Sequence, residues 1–202
     1  MLRRCDFWVR ISFGAVLLWG WFALVNGWRL TGVILLAASI HEMGHLLMLY
    51  LTGAKVSGLS IGVFGAVLDA DTSRLSYGRE LASVLAGPAA NLMAAVVCGT
   101  WGNNSFFIGA NVILCGFNLL PIRPLDGGRS LYLLALWKWG VERGERLTGR
   151  IGSVTALLLA AALTVVMYRS GGSLWLLPPA GWMLGAAVRE FRENDEIFLL
   201  FL

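Results

Sequence analysis

Four stretches of the chain carry no charged residue: Ile11 to Trp28, Leu81 to Ile122, Ile151 to Tyr168 and Gly171 to Val188. Between Leu30 and Ala54 the single charge is Glu42. A helix crosses a bilayer on about 20 apolar residues, and about 17 suffice for a short span. Each stretch is of that order, and the run from 81 to 122 is long enough for two spans, divided by the turn-forming GTWGNN at 99–104. The pattern predicts an all-α polytopic membrane protein with about six transmembrane helices, near 11–28, 30–51, 81–99, 105–121, 151–168 and 172–188. Composition agrees: 57% of the 202 residues are hydrophobic and 14% charged, where a soluble domain is closer to half apolar and a quarter charged. The reading is a single membrane-embedded domain over 1–202 with no soluble domain. The first apolar stretch exceeds the apolar core of a signal peptide and no A-x-A-like site follows it, so it reads as a retained helix.

The basic residues set an orientation. With the N-terminus in the cytoplasm and six alternating spans, the cytoplasmic segments hold all of the 16 Lys and Arg except Arg29 and Arg169, as the positive-inside rule requires. Both termini are then cytoplasmic. The same rule accounts for the net charge of +4, so no nucleic-acid partner is called for. The segment Val56–Ala70 is too short to span as a helix and is rich in β-formers, which predicts a membrane-associated β-hairpin or loop at the cytoplasmic face. An exposed edge there could pair with an extended peptide, with Phe64 as a possible contact to the substrate strand. Cys5, Cys98 and Cys115 show no metal-type spacing.

The chemistry is concentrated in the second span, at His41-Glu42-Met43-Gly44-His45. Residues four apart on a helix share one face, so both imidazoles can reach one metal ion while Glu42 stands beside it. An ionisable residue in a span costs roughly 2.5–3.5 kcal/mol to insert and is by default functional. The chain has two histidines, and both lie in this pattern. Helix–helix hydrogen bonding is the competing use for such a group.

A catalytic zinc site takes three protein ligands and keeps one position for water. With no third histidine, the third ligand is expected to be a carboxylate, and Asp126 sits in the otherwise apolar Asn118-Leu-Leu-Pro-Ile-Arg-Pro-Leu-Asp126-Gly-Gly. The prolines and the glycine pair forbid regular helix there, and broken backbone at membrane depth occurs where it is buried in protein or lines a wet cavity. Capping of a helix beginning near Arg129 is the other use of this aspartate. In the third span, Asn91 of Gly87-Pro88-Ala-Ala-Asn91 either joins two helices or meets substrate. Asn118 could donate its amide to a peptide carbonyl or a developing oxyanion.

Taken together, His41-Glu42-x-x-His45, Gly87-Pro88-x-x-Asn91 and Asn118-x-x-Pro121-x-x-Pro124-Leu-Asp126-Gly-Gly resemble the site-2 protease family of intramembrane zinc metalloproteases over about residues 30–130. The chain is most similar to the minimal bacterial branch, which includes a sporulation protease that processes a pro-sigma factor, although no CBS domain follows the sixth span. The resemblance implies one Zn2+ per chain held by His41, His45 and Asp126, with Glu42 as general base and Asn118 and Asn91 at the substrate or its oxyanion. It further implies a membrane-tethered protein substrate, cleaved in or near its transmembrane segment during regulated intramembrane proteolysis, with a regulatory membrane partner possible. The setting implied is a bacterial cell membrane with the site toward the cytoplasm. A catalytically inactive relative acting as a membrane binding protein, or a metal transporter, would carry the same ligands. Glu42 argues against the first and the absence of a second broken span against the second.

Overall fold

The structure, a computed structural model, describes residues 7–62, 65–101 and 104–169 together with positions 181, 184, 185 and 188. The chain divides into two compact units, Met1–Phe117 and Asn118–Leu202.

The first unit runs β1 (Trp8–Ile11), α1 (Phe13–Asn26), α2 (Trp28–Thr52), β2 (Lys55–Gly62), β3 (Gly65–Asp71), α3 (Tyr77–Trp101) and α4 (Ser105–Asn118), the last residue of α4 opening the second unit. Ser12 caps α1, its hydroxyl accepting from the Ala15 N–H at 3.1 Å, the ordinary use of serine before a helix. Gly27 separates α1 from α2 with φ at 86°, and Gly53 ends α2 in the left-handed conformation with φ at 82°. Both positions call for a residue without Cβ. Sharp reversals there return the chain from helix to helix and from helix to strand.

The expected hairpin over Val56–Ala70 is present as β2 and β3, antiparallel, with an irregularity between Val56 and Gly58. The expectation of an all-α chain with a hairpin alone is corrected by β1, which pairs parallel to β2 from Trp8↔Gly58 to Ile11↔Ile61 and makes a three-stranded sheet of order β1-β2-β3. A Cβ on Gly58 would lie 2.2 Å from the Trp8 indole, so the missing side chain is what lets the ring lie across the sheet. Four residues are too few to show a period of two, and β1 is a strand because β2 offers it an edge. That edge of β2 is therefore occupied, and among the described residues it is β3 whose outer edge pairs with no further strand. Phe64 lies outside the described residues.

Three described helices are long and apolar enough to cross a membrane: Trp28–Thr52, Tyr77–Thr100 and Asp126–Arg169. The expected spans at 11–28 and 105–121 correspond to α1 and α4, each of 14 residues, roughly 21 Å at about 1.5 Å per residue against a hydrocarbon core of about 30 Å. Most of the expected span at 172–188 lies outside the described residues. Within the first unit α2 packs on α3 at close range. A Cβ on Gly44 would come within 2.5 Å of the Ala86 carbonyl and 2.8 Å of Ala90 Cβ. Small residues let membrane helices approach until their backbones touch.

The second unit contains the irregular segment 119–125 and α5 (Asp126–Arg169), which bends at Gly140 (φ 77, ψ 175) into two helical legs. The helix expected to begin near Arg129 begins at Asp126, whose carboxylate lies in the first turn, where the helix dipole favours negative charge. Ile122, fully buried, packs with Leu125 and Ala156. Cβ atoms on Gly127 and Gly128 would lie 2.1 Å from the Leu119 carbonyl oxygen and 2.5 Å from the Ile122 carbonyl carbon. The glycine pair lets the backbone of 119–123 rest on the first turn of α5.

Candidate metal centre

His41 is buried and His45 partly so, on one face of α2. Their rings stand edge to face, 4.7 Å between centroids and 82° between planes, with Nε2 atoms 3.1 Å apart. Two ligands of a tetrahedral ion at about 2.0–2.1 Å are about 3.3 Å from each other, so the separation suits a shared cation.

The other face of each ring decides its tautomer. His45 Nδ1 is 2.9 Å from the Ser83 carbonyl oxygen, which can only accept, so Nδ1 carries the proton and donates it. His41 Nδ1 is 2.6 Å from Asn91 Oδ1. The Asn91 amide donates from Nδ2 to the Ala37 carbonyl at 2.9 Å and to Asn111 Oδ1 at 2.8 Å, which leaves Oδ1 as the atom facing His41. His41 therefore also donates from Nδ1. With each ring in the form that carries its one proton on Nδ1, Nε2 is the nitrogen that presents a lone pair, and the two Nε2 atoms face the same space. Ligating histidines are held in this way in metal sites, with the distal N–H given to a carbonyl or a carboxylate. The residues present fit a metal ion.

Helix α3 supplies both partners. Ser83 presents the carbonyl that receives His45 and Asn91, two turns later, the amide that receives His41. Pro88, between them, cannot donate to the Val84 carbonyl four residues back. Gly87 leaves room for the ring itself, since a Cβ there would lie 2.3 Å from His45 Nε2 and 2.6 Å from its Cε1.

Glu42 is half-buried on α2 next to His41, about 100° farther round the helix. Asn118 is half-buried at the end of α4, and Asp126 at the start of α5 is half-buried with its Oδ2 shielded from solvent. Of the two uses weighed for Asn91, helix joining and substrate contact, its hydrogen bonds are those of the first. Both amide hydrogens are consumed inside the protein, so none is left for an oxyanion.

Comparison with known proteins points the same way as this geometry. No protein-family model matches the chain. It is 28% identical to zinc metalloprotease Rip3 of Mycobacterium tuberculosis over 186 residues, covering 79% of this chain and 45% of Rip3. It is 26% identical to stage IV sporulation protein FB of Bacillus subtilis over 178 residues, covering 84% of this chain and 61% of that protein. The chain thus spans about half the length of the curated relatives it matches. The structure of the site-2 protease from Methanocaldococcus jannaschii superposes with a TM-score of 0.66, at 20% identity, over 94% of this chain and 93% of that one. This is the site-2 protease fold. The family resemblance read from His41, Asn91 and Asp126 is met again in the fold and in the sequence relatives.

Three parts of this site-2 protease fold were not singled out in the sequence as supports of the histidines: the Ser83 carbonyl, Gly87 in its contact with His45, and Asn111. Asn111 carries the signal that drew attention to Asn91, a carboxamide in an uncharged apolar run. The Ser83 carbonyl carries none, because every residue has one. Gly87→Ala is expected to push the His45 ring off its position and weaken zinc binding by about 10- to 100-fold, with the helices still formed. Equilibrium dialysis of the detergent-purified variant checks it, and zinc affinity equal to the parent's would show that His45 has another place to go.

Proposed function

We propose that the chain is an intramembrane zinc metalloprotease of the site-2 type that hydrolyses a peptide bond in or near the membrane segment of a membrane-tethered protein. The observation that carries this reading is the pair of imidazoles on one face of α2, with the Nε2 atoms of His41 and His45 3.1 Å apart and their Nδ1 atoms held from behind by Asn91 and the Ser83 carbonyl; Asp126 is the third ligand in this reading. Relatives named as zinc metalloproteases support zinc as the ion.

When bound, zinc supplies a Lewis acid that polarises the scissile carbonyl and acidifies water at neutral pH. Glu42 takes the proton of the attacking water and returns it to the leaving amine, a transfer that needs a carboxylate within hydrogen-bond reach of both. Asn118 donates its amide to the oxygen on which charge develops. Asn91 and Ser83 keep the two imidazoles in the tautomer that leaves Nε2 bare.

The distribution of Lys and Arg supports six spans with both termini in the cytoplasm and the site in the cytoplasmic half of α2, so that cleavage releases a cytoplasmic product. A bacterial cell membrane is the setting and a precursor of a membrane-tethered transcription factor or an anti-sigma factor the fitting substrate class; a regulatory membrane partner belongs to the same reading. A helical substrate hides its carbonyls in hydrogen bonds, so the segment to be cut is extended first, and the open edge of β3 is suited to hold it.

The test is zinc content and cleavage measured on the same detergent-purified chain before and after chelation. About one zinc per chain is expected, with cleavage of a membrane-tethered substrate lost on stripping and restored on re-addition. Cleavage that survives removal of the metal would sink the reading.

A further inference from the structure

We propose that Asn111 of α4 is a positioning residue for the metal centre, acting through Asn91 on His41; this rests on the metalloprotease reading above. Asn91 and Asn111 are both fully buried. They stand on different helices and form a chain of amides that ends on a ligand: Phe107 carbonyl, Asn111, Asn91, His41. Asn111 donates from Nδ2 to the Phe107 carbonyl at 2.9 Å, one turn back on its own helix. That bond decides which end of its amide faces inward. Oδ1 is left to accept from Asn91 Nδ2 at 2.8 Å.

The consequence for Asn91 follows from its inventory of two N–H donors and one carbonyl oxygen. Ala37, one turn before His41 on α2, takes one hydrogen, and Asn111 takes the other. Three contacts define the amide plane, and Oδ1 is thereby aimed at His41 Nδ1. With Ala37 alone, the amide would keep a buried N–H without an acceptor and would turn to find one. Leaving such a donor unpaired in a low-dielectric interior is costly. The turn would take Oδ1 off His41 Nδ1 and release the ring from the tautomer and the angle that present Nε2 to the ion. Simple joining of α3 to α4 would use the same bond, but it would leave metal affinity untouched in protein that has folded.

The experiment compares the full chain in detergent with Asn111→Leu, which keeps the size and removes the amide, and Asn111→Asp, which keeps an oxygen for Asn91 Nδ2. Co2+ affinity is read by competition with a chromophoric chelator, ligand geometry by the visible absorption of the Co2+-loaded protein, and fold by the unfolding midpoint of the metal-free protein. Asn111→Leu is expected to weaken Co2+ binding about tenfold and to change the absorption, while Asn111→Asp stays within about threefold of the parent. If Asn111→Leu does not fold, Asn111→Ser, whose hydroxyl is too short to reach Asn91, is expected to show the same loss. Parent-like affinity and absorption in the folded Leu or Ser variant would overturn the inference and leave the metalloprotease reading standing. Equal losses in Leu and Asp that follow the unfolding midpoint would reduce Asn111 to helix joining. A parent that binds no Co2+ or Zn2+ would bring down the metalloprotease reading and this inference with it.

Discussion

Glu42→Gln is expected to lower peptide cleavage by about 10²- to 10⁴-fold, the usual contribution of a positioned general base, while zinc stays at the parent's stoichiometry. The two properties separate because of where the side chain stands. The nitrogens assigned to zinc in the proposed function belong to His41 and His45, which share one face of α2 and are held from behind by Asn91 and the Ser83 carbonyl. Glu42 projects from the neighbouring position and takes no part in those two bonds. Glutamine has nearly the same shape and can still accept a hydrogen bond, but it cannot take up a proton. Zinc content by atomic emission and a single-turnover cleavage assay on the same preparation test this. Retained cleavage would mean that another group is the base; loss of zinc together with cleavage would mean that Glu42 is a ligand or holds the site's shape.

Asp126→Asn tests the third ligand. The substitution keeps the size and one acceptor oxygen at the first residue of α5 and removes the negative charge. A neutral carboxamide is a poor zinc ligand, and loss of a direct ligand exceeds the 10- to 100-fold effect of losing an outer-shell partner, so zinc affinity is expected to fall by more than about 100-fold. Cleavage falls with it. The cost to folding is small by comparison, since a carboxylate at a helix N-terminus contributes about 0.3–1 kcal/mol. An unfolding midpoint within a few degrees of the parent's would separate metal loss from misfolding. Undiminished zinc binding in Asp126→Asn would place the third ligand elsewhere.

Much of this centre was legible in the sequence, for reasons that differ from residue to residue. His41 and His45 could be read because their spacing of four is a property of one helix and of nothing else. The hairpin at 55–71 could be read because β-forming residues interrupted by glycines announce themselves locally. Asp126 could be singled out because a carboxylate in an apolar, proline-broken stretch has few other uses. Its place within the helix could not: the expected start near Arg129 missed that Gly127 and Gly128 let the backbone of 119–123 lie on the first turn.

Other features have no local signature. Four residues, Trp8–Ile11, became a strand because Gly58 left room for the Trp8 ring and β2 had an edge to offer. Gly140 lies in a stretch with helical composition, and only its φ of 77° shows that α5 bends there. Asn91 could be noticed as a polar group in hydrocarbon, yet its partner could not be foreseen, because 50 residues separate it from His41.

What the sequence by itself determined is the solvent the chain is built for and the chemistry it carries: uncharged runs of spanning length, and a helical face bearing two imidazoles with a carboxylate beside them. Both are encoded within a turn or two of helix, where spacing and side-chain type suffice. Only the tertiary structure decided which atoms hold those imidazoles. The Ser83 carbonyl, the space at Gly87 and the amides of Asn91 and Asn111 act on α2 from other helices, and contacts of that kind depend on how closely the helices pack, which no local pattern records.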